Sequence, residues 1–327
     1  MAERLLAHLA HVEVITPKPE ESLWFYRDIL GLEVTAQDGD SVYLRGWGEH
    51  YAHSLQLTEG PQPAIAHTGW RTEGAEELET LAKRLDKLGV AEGWVDDQFG
   101  HGRAFRYRGP GGHLQELFWE VDRYEPPAEL TPVIASRPQR YISRGAGARR
   151  IDHVTVNSWD PYAEAEWYRD NLGYRFMEYS VLDVNPDIVV TAFVSTAPNS
   201  HDLGIVREAS GQKEERKADV HGRVNHIAFW LDQREDVMKA ADVYVDAGLQ
   251  IEYGPGRHGI GENLFLYVRE PGGMRVELFS GGYQNQIPDW EPVRHTASRG
   301  VNYWTPHLAP PEEYLFEAFP PLEEEKD

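Results

Sequence analysis

The 327-residue sequence predicts an α+β protein in which mixed sheets carry helices on one face, built from four βαβββ units in two tandem halves. The first of three observations behind this is a duplication. Ala10-His11-Val12 is answered 142 positions later by Asp152-His153-Val154, and Phe25-Tyr26-Arg27-Asp28-Ile29-Leu30-Gly31 by Trp167-Tyr168-Arg169-Asp170-Asn171-Leu172-Gly173 at the same spacing. The second is that His67, Gly89 and Pro110-Gly111-Gly112 are answered by His226, Gly248 and Pro271-Gly272-Gly273 at slightly larger spacings, the drift that loop insertions produce. The third is a pattern met twice in each half: a strand, an amphipathic helix, then apolar, β-branched or aromatic segments separated by turns.

Val12-Glu13-Val14-Ile15 reads as the first strand. Pro17 and Pro19 precede Glu20 and Glu21, which puts proline and negative charge where a helix first turn favours them. Leu23, Tyr26 and Leu30 share one helical face, and Gly31 ends the helix. In the matching helix Asp160 is the expected N-cap before Pro161, and Ala165, Tyr168 and Leu172 form the stripe. In the second unit of each half Leu78, Leu81, Leu85 and Leu88 correspond to Val237, Ala240, Tyr244 and Ala247, with Gly89 and Gly248 closing the helices.

The expected divisions are a first domain at 1–122, a linker at 123–148 rich in proline but ordered, a second domain at 149–282 and a tail at 283–327. The length gives each domain its own core. The tail, with Trp290, Tyr303 and Trp304, is expected to pack on the body and only its end, Glu323-Glu324-Glu325, to be solvated.

A formal net charge of −22 disfavours nucleic acid and anionic membranes as partners and favours small neutral or weakly charged ligands. There is neither an apolar run long enough to span a bilayer nor a secretory leader, so a cytoplasmic location is expected. The absence of cysteine removes disulfides, thiolate nucleophiles and Cys-type zinc sites, leaving His, Asp and Glu to hold any metal.

His153, His226 and Glu277 each stand among apolar strand neighbours, in Asp-His-Val-Thr-Val, Asn-His-Ile-Ala-Phe and Arg-Val-Glu-Leu-Phe. An ionised carboxylate in such a strand needs a cation or hydrogen bonds, and two imidazoles with one carboxylate form the facial triad of non-haem Fe(II) oxygenases, a set that zinc or manganese also accepts. Each His taken alone reads more readily as an ordinary strand residue hydrogen-bonded to backbone. The first half offers His11, His67 and Glu116 at equivalent places, and His53 matches His201. There, however, Arg106 falls opposite Tyr267, a cation expected to oppose metal binding, and nothing reproduces Gly254-Pro255-Gly256-Arg257-His258-Gly259. One working site, in the second half, is expected.

These residues resemble the two-domain type I extradiol ring-cleaving dioxygenases, the catechol 2,3-dioxygenase-like enzymes of the vicinal oxygen chelate (glyoxalase-like) fold. The resemblance runs from about Leu6 to Trp304 and is most specific from Gly254 through Tyr267 to Glu277-Leu278-Phe279. It implies that His153, His226 and Glu277 hold Fe(II), with Mn(II) the alternative, and that the first domain is non-catalytic. It also implies that His201 is the acid–base residue near the oxygen site and that His258 and Tyr267 hydrogen-bond the substrate oxygens. The implied reaction opens a catechol beside its two hydroxyls with O2, giving a yellow 2-hydroxymuconic semialdehyde-type product in aromatic degradation, and the implied assembly is a homo-oligomer, a tetramer.

Members acting on homoprotocatechuate carry Asn where this chain has Thr155 and Arg where it has Tyr253, so a catechol, alkyl- or halo-catechol is favoured over a carboxylated one. Phe193 is the candidate aromatic wall. Two other readings share the fold: a glyoxalase-like metal-dependent lyase or epimerase, and a non-catalytic protein that sequesters an aromatic ligand.

Overall fold

A computed structural model of the chain describes residues 4–96, 98–208, 223–316 and 319. The first half comprises β1 (Leu6–Thr16), α1 (Pro19–Trp24), β2 (Glu33–Asp38), β3 (Ser41–Arg45), β4 (Leu55–Glu59), β5 (Ala64–Thr72), α2 (Ala75–Leu88), β6 (Ala91–Val95), β7 (Ala104–Arg108) and β8 (Leu114–Phe118). The second comprises β9 (Arg150–Ser158), α3 (Pro161–Leu172), β10 (Arg175–Leu182), β11 (Asn185–Ser195), β12 (Leu203–Arg207), β13 (Val224–Trp230), α4 (Arg234–Asp246), β14 (Ile251–Arg257), β15 (Asn263–Arg269) and β16 (Arg275–Gly281). These are four βαβββ units. The sheet orders, β2-β3-β4-β1-β5-β8-β7-β6 and β14-β15-β16-β13-β9-β12-β11-β10 with a tail strand β17 (Val293–Thr296) added beside β10, centre each half on an antiparallel pair, β1 with β5 and β9 with β13.

Strand alternation explains the cup. Val12 and Val14 of β1, like Val154 and Val156 of β9, enter the apolar core, so His11, Glu13, His153 and Thr155 project from the opposite face. α3 begins as expected, with Asp160 accepting from the Ala163 amide, and α2 ends on Gly89 at φ +73°. α1 departs from the regular helix expected of it. Its second part, Phe25–Ile29, is π-helical, and the wider turn lets the consecutive rings of Phe25 and Tyr26 both face the second half, against Tyr244 and Phe229. Leu88 lies 43% exposed rather than on the buried stripe of α2.

The halves share one continuous core instead of burying two, because their helices pack at the seam. Polar contacts there are reciprocal. Ser22 Oγ of α1 donates to Glu270 Oε2 at 2.6 Å, and Glu270 accepts the amides of Gly272 and Met274 in the second Pro-Gly-Gly turn. A Cβ on Gly272 would come within 2.2 Å of Thr16 Oγ1, so only glycine fits this approach. In the other direction, His113 of the first Pro-Gly-Gly turn donates through Nε2 to the Arg223 carbonyl at 2.7 Å.

The linker is ordered along the seam, with Arg144 bonded to the Leu32 carbonyl at 2.6 Å and to Glu33 at 2.8 Å. In the tail Trp290 packs as expected and donates to the Met177 carbonyl at 2.8 Å. Tyr303 and Trp304 do not: they are 51% and 54% exposed. The acidic Glu323-Glu324-Glu325 end lies outside the described residues. Two short helices, α5 (Ala297–Val301) and α6 (Glu312–Phe316), run over the mouth of the second cup, and no helix among the described residues is long and apolar enough to cross a membrane.

Candidate functional site

β9, β13 and β16 are neighbours, and register brings His153 and Glu277 to either side of Ala228, with His226 two residues before it. His153 Nε2 lies 3.2 Å from His226 Nε2 and 3.0 Å from Glu277 Oε2, and His226 Nε2 lies 3.1 Å from the same oxygen. All three side chains are buried, and Glu277 Oε1 has no hydrogen-bond partner.

The donor set fits a metal. His153 Nδ1 faces Asp152 Oδ1 at 2.9 Å and His226 Nδ1 faces Asn225 Oδ1 at 2.7 Å, both acceptors, so each Nδ1 carries the proton and each Nε2 turns a lone pair inward against the carboxylate. Two lone pairs and an anion this close need a cation between them. Ligand bonds of about 2.1 Å at right angles put neighbouring donors about 3.0 Å apart, which is the spacing found.

Electrostatics agree. Without a metal, protons on the facing nitrogens take the place of the cation: burial disfavours the Glu277 anion, yet hydrogen bonds from His153 and His226 then hold its carboxyl below the usual range. Burial lowers the His153 imidazolium, but Asp152 and Glu277 more than offset this and raise it to about 9, so without a metal a proton is held there. Burial brings His226 down to about 4.

The other expected residues surround this centre. His201 stacks on Phe193 at 3.8 Å and 18°, lies 4.2 Å from the His153 ring, and has Ser200 Oγ 3.1 Å from its Nδ1. Burial and the neighbouring His153 push it well below its usual value, so it is neutral at pH 7. His258 donates from Nδ1 to the Val301 carbonyl at 2.5 Å, which leaves Nε2 to accept from Tyr267 OH at 3.1 Å. Burial lowers His258 and raises Tyr267, so both are uncharged. A cavity of about 50 Å³ joins these groups, with Thr155 and Phe193 in its wall as expected. Tyr253 is not in the wall: its ring stands 6.2 Å behind Tyr267, and its hydroxyl accepts from Asn302 at 3.2 Å.

Several contributors escaped the sequence reading. Tyr314 of the tail donates to Tyr267 OH at 3.3 Å, making a chain Tyr314 to Tyr267 to His258 to the Val301 carbonyl, and Val301 and Tyr314 both line the cavity. No signal in the tail marked them. Asp152 and Asn225 were legible as polar residues preceding each His. A larger cavity of about 500 Å³ between the halves, lined by His8, Tyr51, Arg123 and Arg150, contains neither His/His/Glu set and is not the chemical centre.

In the first half Arg106 stands opposite Glu116 as Tyr267 stands opposite Glu277, and its Nε bonds Glu116 Oε2 at 2.8 Å. His11, His67 and Glu116 also converge. No loop there matches the Gly254–Gly259 sequence, yet His101 arrives beside the carboxylate from different spacing, 3.1 Å from Glu116 Oε1.

Comparison with known proteins matches residues 8–117 and 150–278 to the Glyoxalase/Bleomycin resistance protein/Dioxygenase superfamily. The chain is 37% identical over 312 residues, 93% of its length and 96% of the relative's, to a manganese-dependent 2,3-dihydroxybiphenyl 1,2-dioxygenase from Geobacillus genomosp. 3. It is 35% identical over 289 residues, 88% and 85% of the two lengths, to a metapyrocatechase from Geobacillus stearothermophilus. An extradiol ring-cleaving dioxygenase from B. fuscum superposes with TM-score 0.83 at 25% identity, covering 99% of this chain and 85% of that one. The repeated units, the cup and these relatives together establish that the chain belongs to the Glyoxalase/Bleomycin resistance protein/Dioxygenase superfamily and, within it, to the type I extradiol ring-cleaving dioxygenases.

Proposed function

We propose that the second half opens catechol or an uncharged substituted catechol with O2 beside its two hydroxyls, giving a 2-hydroxymuconic semialdehyde-type product, with Fe(II) or Mn(II) held by His153, His226 and Glu277. The observation that carries the reading is the inward-facing Nε2, Nε2 and carboxylate set in one cavity with a neutral His201, a His258–Tyr267 pair and no Lys or Arg among its described lining residues. That lining favours a substrate without a carboxylate. Val206, Ile260 and Val301 give the ring and its substituents apolar contact. The first half has no comparable role in turnover, since Phe99 packs on Tyr43 at 4.1 Å and on His53 at 5.7 Å inside its cup.

When bound, the metal supplies positive charge that favours the deprotonated diol and an electron route between ring and dioxygen. The residues do the rest. Phe193 and Ser200 fix the His201 ring, whose Nε2 is left to hold or deliver a proton where the oxygen reacts. His258, anchored by Val301, can take up a proton released by the diol at Nε2, turning its bond with Tyr267 around so that the phenol serves as an uncharged partner. Phe193, Phe279 and Tyr314 limit water around the ring.

The test is to load the protein anaerobically with Fe(II) or Mn(II), add catechol in air, and follow yellow product against O2 consumed. Equal molar amounts of the two are expected. Bound metal with no O2 uptake across several catechols would refute the reading and favour the lyase or epimerase chemistry of the same fold.

A further inference from the structure

The first half keeps more of a metal centre than an inactive copy needs. His11 Nε2 lies 3.0 Å from His67 Nε2, and Glu116 Oε1 lies 3.6 and 3.7 Å from them. Glu116 is fully buried, and Oε1 has no hydrogen-bond partner although three imidazoles surround it. Two of the three imidazoles have their nitrogens set as in the second half. Glu13 Oε2 accepts from His67 Nδ1 at 3.0 Å and the Gly102 carbonyl accepts from His101 Nδ1 at 2.8 Å, so both Nε2 atoms turn lone pairs toward the orphaned oxygen.

Arg106 does not block this arrangement, contrary to the expectation from sequence. It bonds the other carboxylate oxygen, Oε2, and leaves Oε1 to the imidazoles. Its charge is also matched, because Glu13 stands at the position Thr155 occupies in the second half. Glu13, Glu116 and Arg106 leave one net negative charge, the same as Asp152, Glu277 and Arg150 leave around the other centre.

We propose that the first half holds a second divalent transition ion through the convergent His11, His67 and Glu116, with His101, which stands outside that set 3.1 Å from Glu116 Oε1, drawn in to close the sphere. Three imidazoles and a carboxylate make a closed set of the kind that zinc occupies structurally, whereas the second half keeps positions open for chemistry. The ion would join β1, β5, β8 and the segment before β7, and its role is to hold the first cup together.

The experiment is metal stoichiometry, which is read independently of catechol turnover, so failed turnover with two ions bound would refute the ring-cleavage proposal and leave this one standing. Wild-type protein dialysed against Zn(II) or Co(II) is expected to retain two equivalents per chain and Glu277→Gln one. Co(II)-loaded Glu277→Gln should show the strong visible bands of four-coordinate cobalt, lost when His67→Gln is added. One equivalent in wild type and none in Glu277→Gln would overturn the proposal, with a proton shared by His101 and Glu116 as the remaining account; the wild-type count decides even if a variant fails to fold.

Discussion

Asp152→Asn tests how the proposed metal ligands are prepared. Asp152 accepts from His153 Nδ1 at 2.9 Å through one oxygen and from Arg150 at 2.8 Å through the other, and it is buried. Asparagine has the same shape but a single acceptor, so its amide nitrogen must face one of two donors. If it faces His153, the imidazole has to shift its proton to Nε2, the atom proposed to bind metal. The lost charge-assisted hydrogen bond is worth about 1.5–3 kcal/mol, and replacing such outer partners of metal-bound histidines lowers affinity by about 10–100-fold. Anaerobic Mn(II) binding by chelator competition should therefore weaken by about that factor, while Asn225→Asp, which gives His226 the carboxylate that His153 already has, should not weaken it. Affinity for Asp152→Asn within about threefold of wild type would refute the reasoning.

Further outcomes follow from buried groups elsewhere. Burial raises Asp202 to about 7, with Asp152 adding to it and Thr196 hydrogen bonds opposing it. Such a group contributes stability that is fully present below its unfolded value of 3.8 and is lost as pH rises through about 7, a change of about 4 kcal/mol at about 1.4 per pH unit. Asp202→Asn should accordingly flatten the difference in urea-unfolding free energy between pH 4 and 7.5. Ser22→Ala leaves Glu270 without its 2.6 Å donor at the seam and should cost about 1–3 kcal/mol by urea unfolding, with a single transition retained because the core is shared. Tyr314→Phe removes the bond to Tyr267, worth about 1 kcal/mol, and should lower kcat/KM for catechol about fivefold with metal content unchanged.

Much of this was legible because the chain repeats itself. A polar residue among apolar strand neighbours has one buried and one projecting face, so His153, His226 and Glu277 could be singled out as strand residues of one half, while their meeting on neighbouring strands is shown by the register. Tyr267 was legible from its distance to the Pro-Gly-Gly turn, which register turns into a position opposite Glu277. What was not legible depends on contacts between distant segments. Tyr314 reaches Tyr267 from a tail with no periodicity, and Tyr253, beside Tyr267 across the β14–β15 pair, lies behind the cavity wall. The shared core was hidden because the apolar stripes of the helices are the same whether they face their own sheet or the other half. His101 escaped because it lies five residues before Arg106, while His258 lies nine before Tyr267, so no alignment by spacing pairs them.

The most direct test of the central claim is catechol turnover by Glu277→Gln beside wild type after identical anaerobic metal loading. Loss of ring opening in folded Glu277→Gln is the expected result, since the variant removes the only anion among the three convergent donors of the second cup. Ring opening by Glu277→Gln at the wild-type rate would contradict the account and move the chemistry away from that cup.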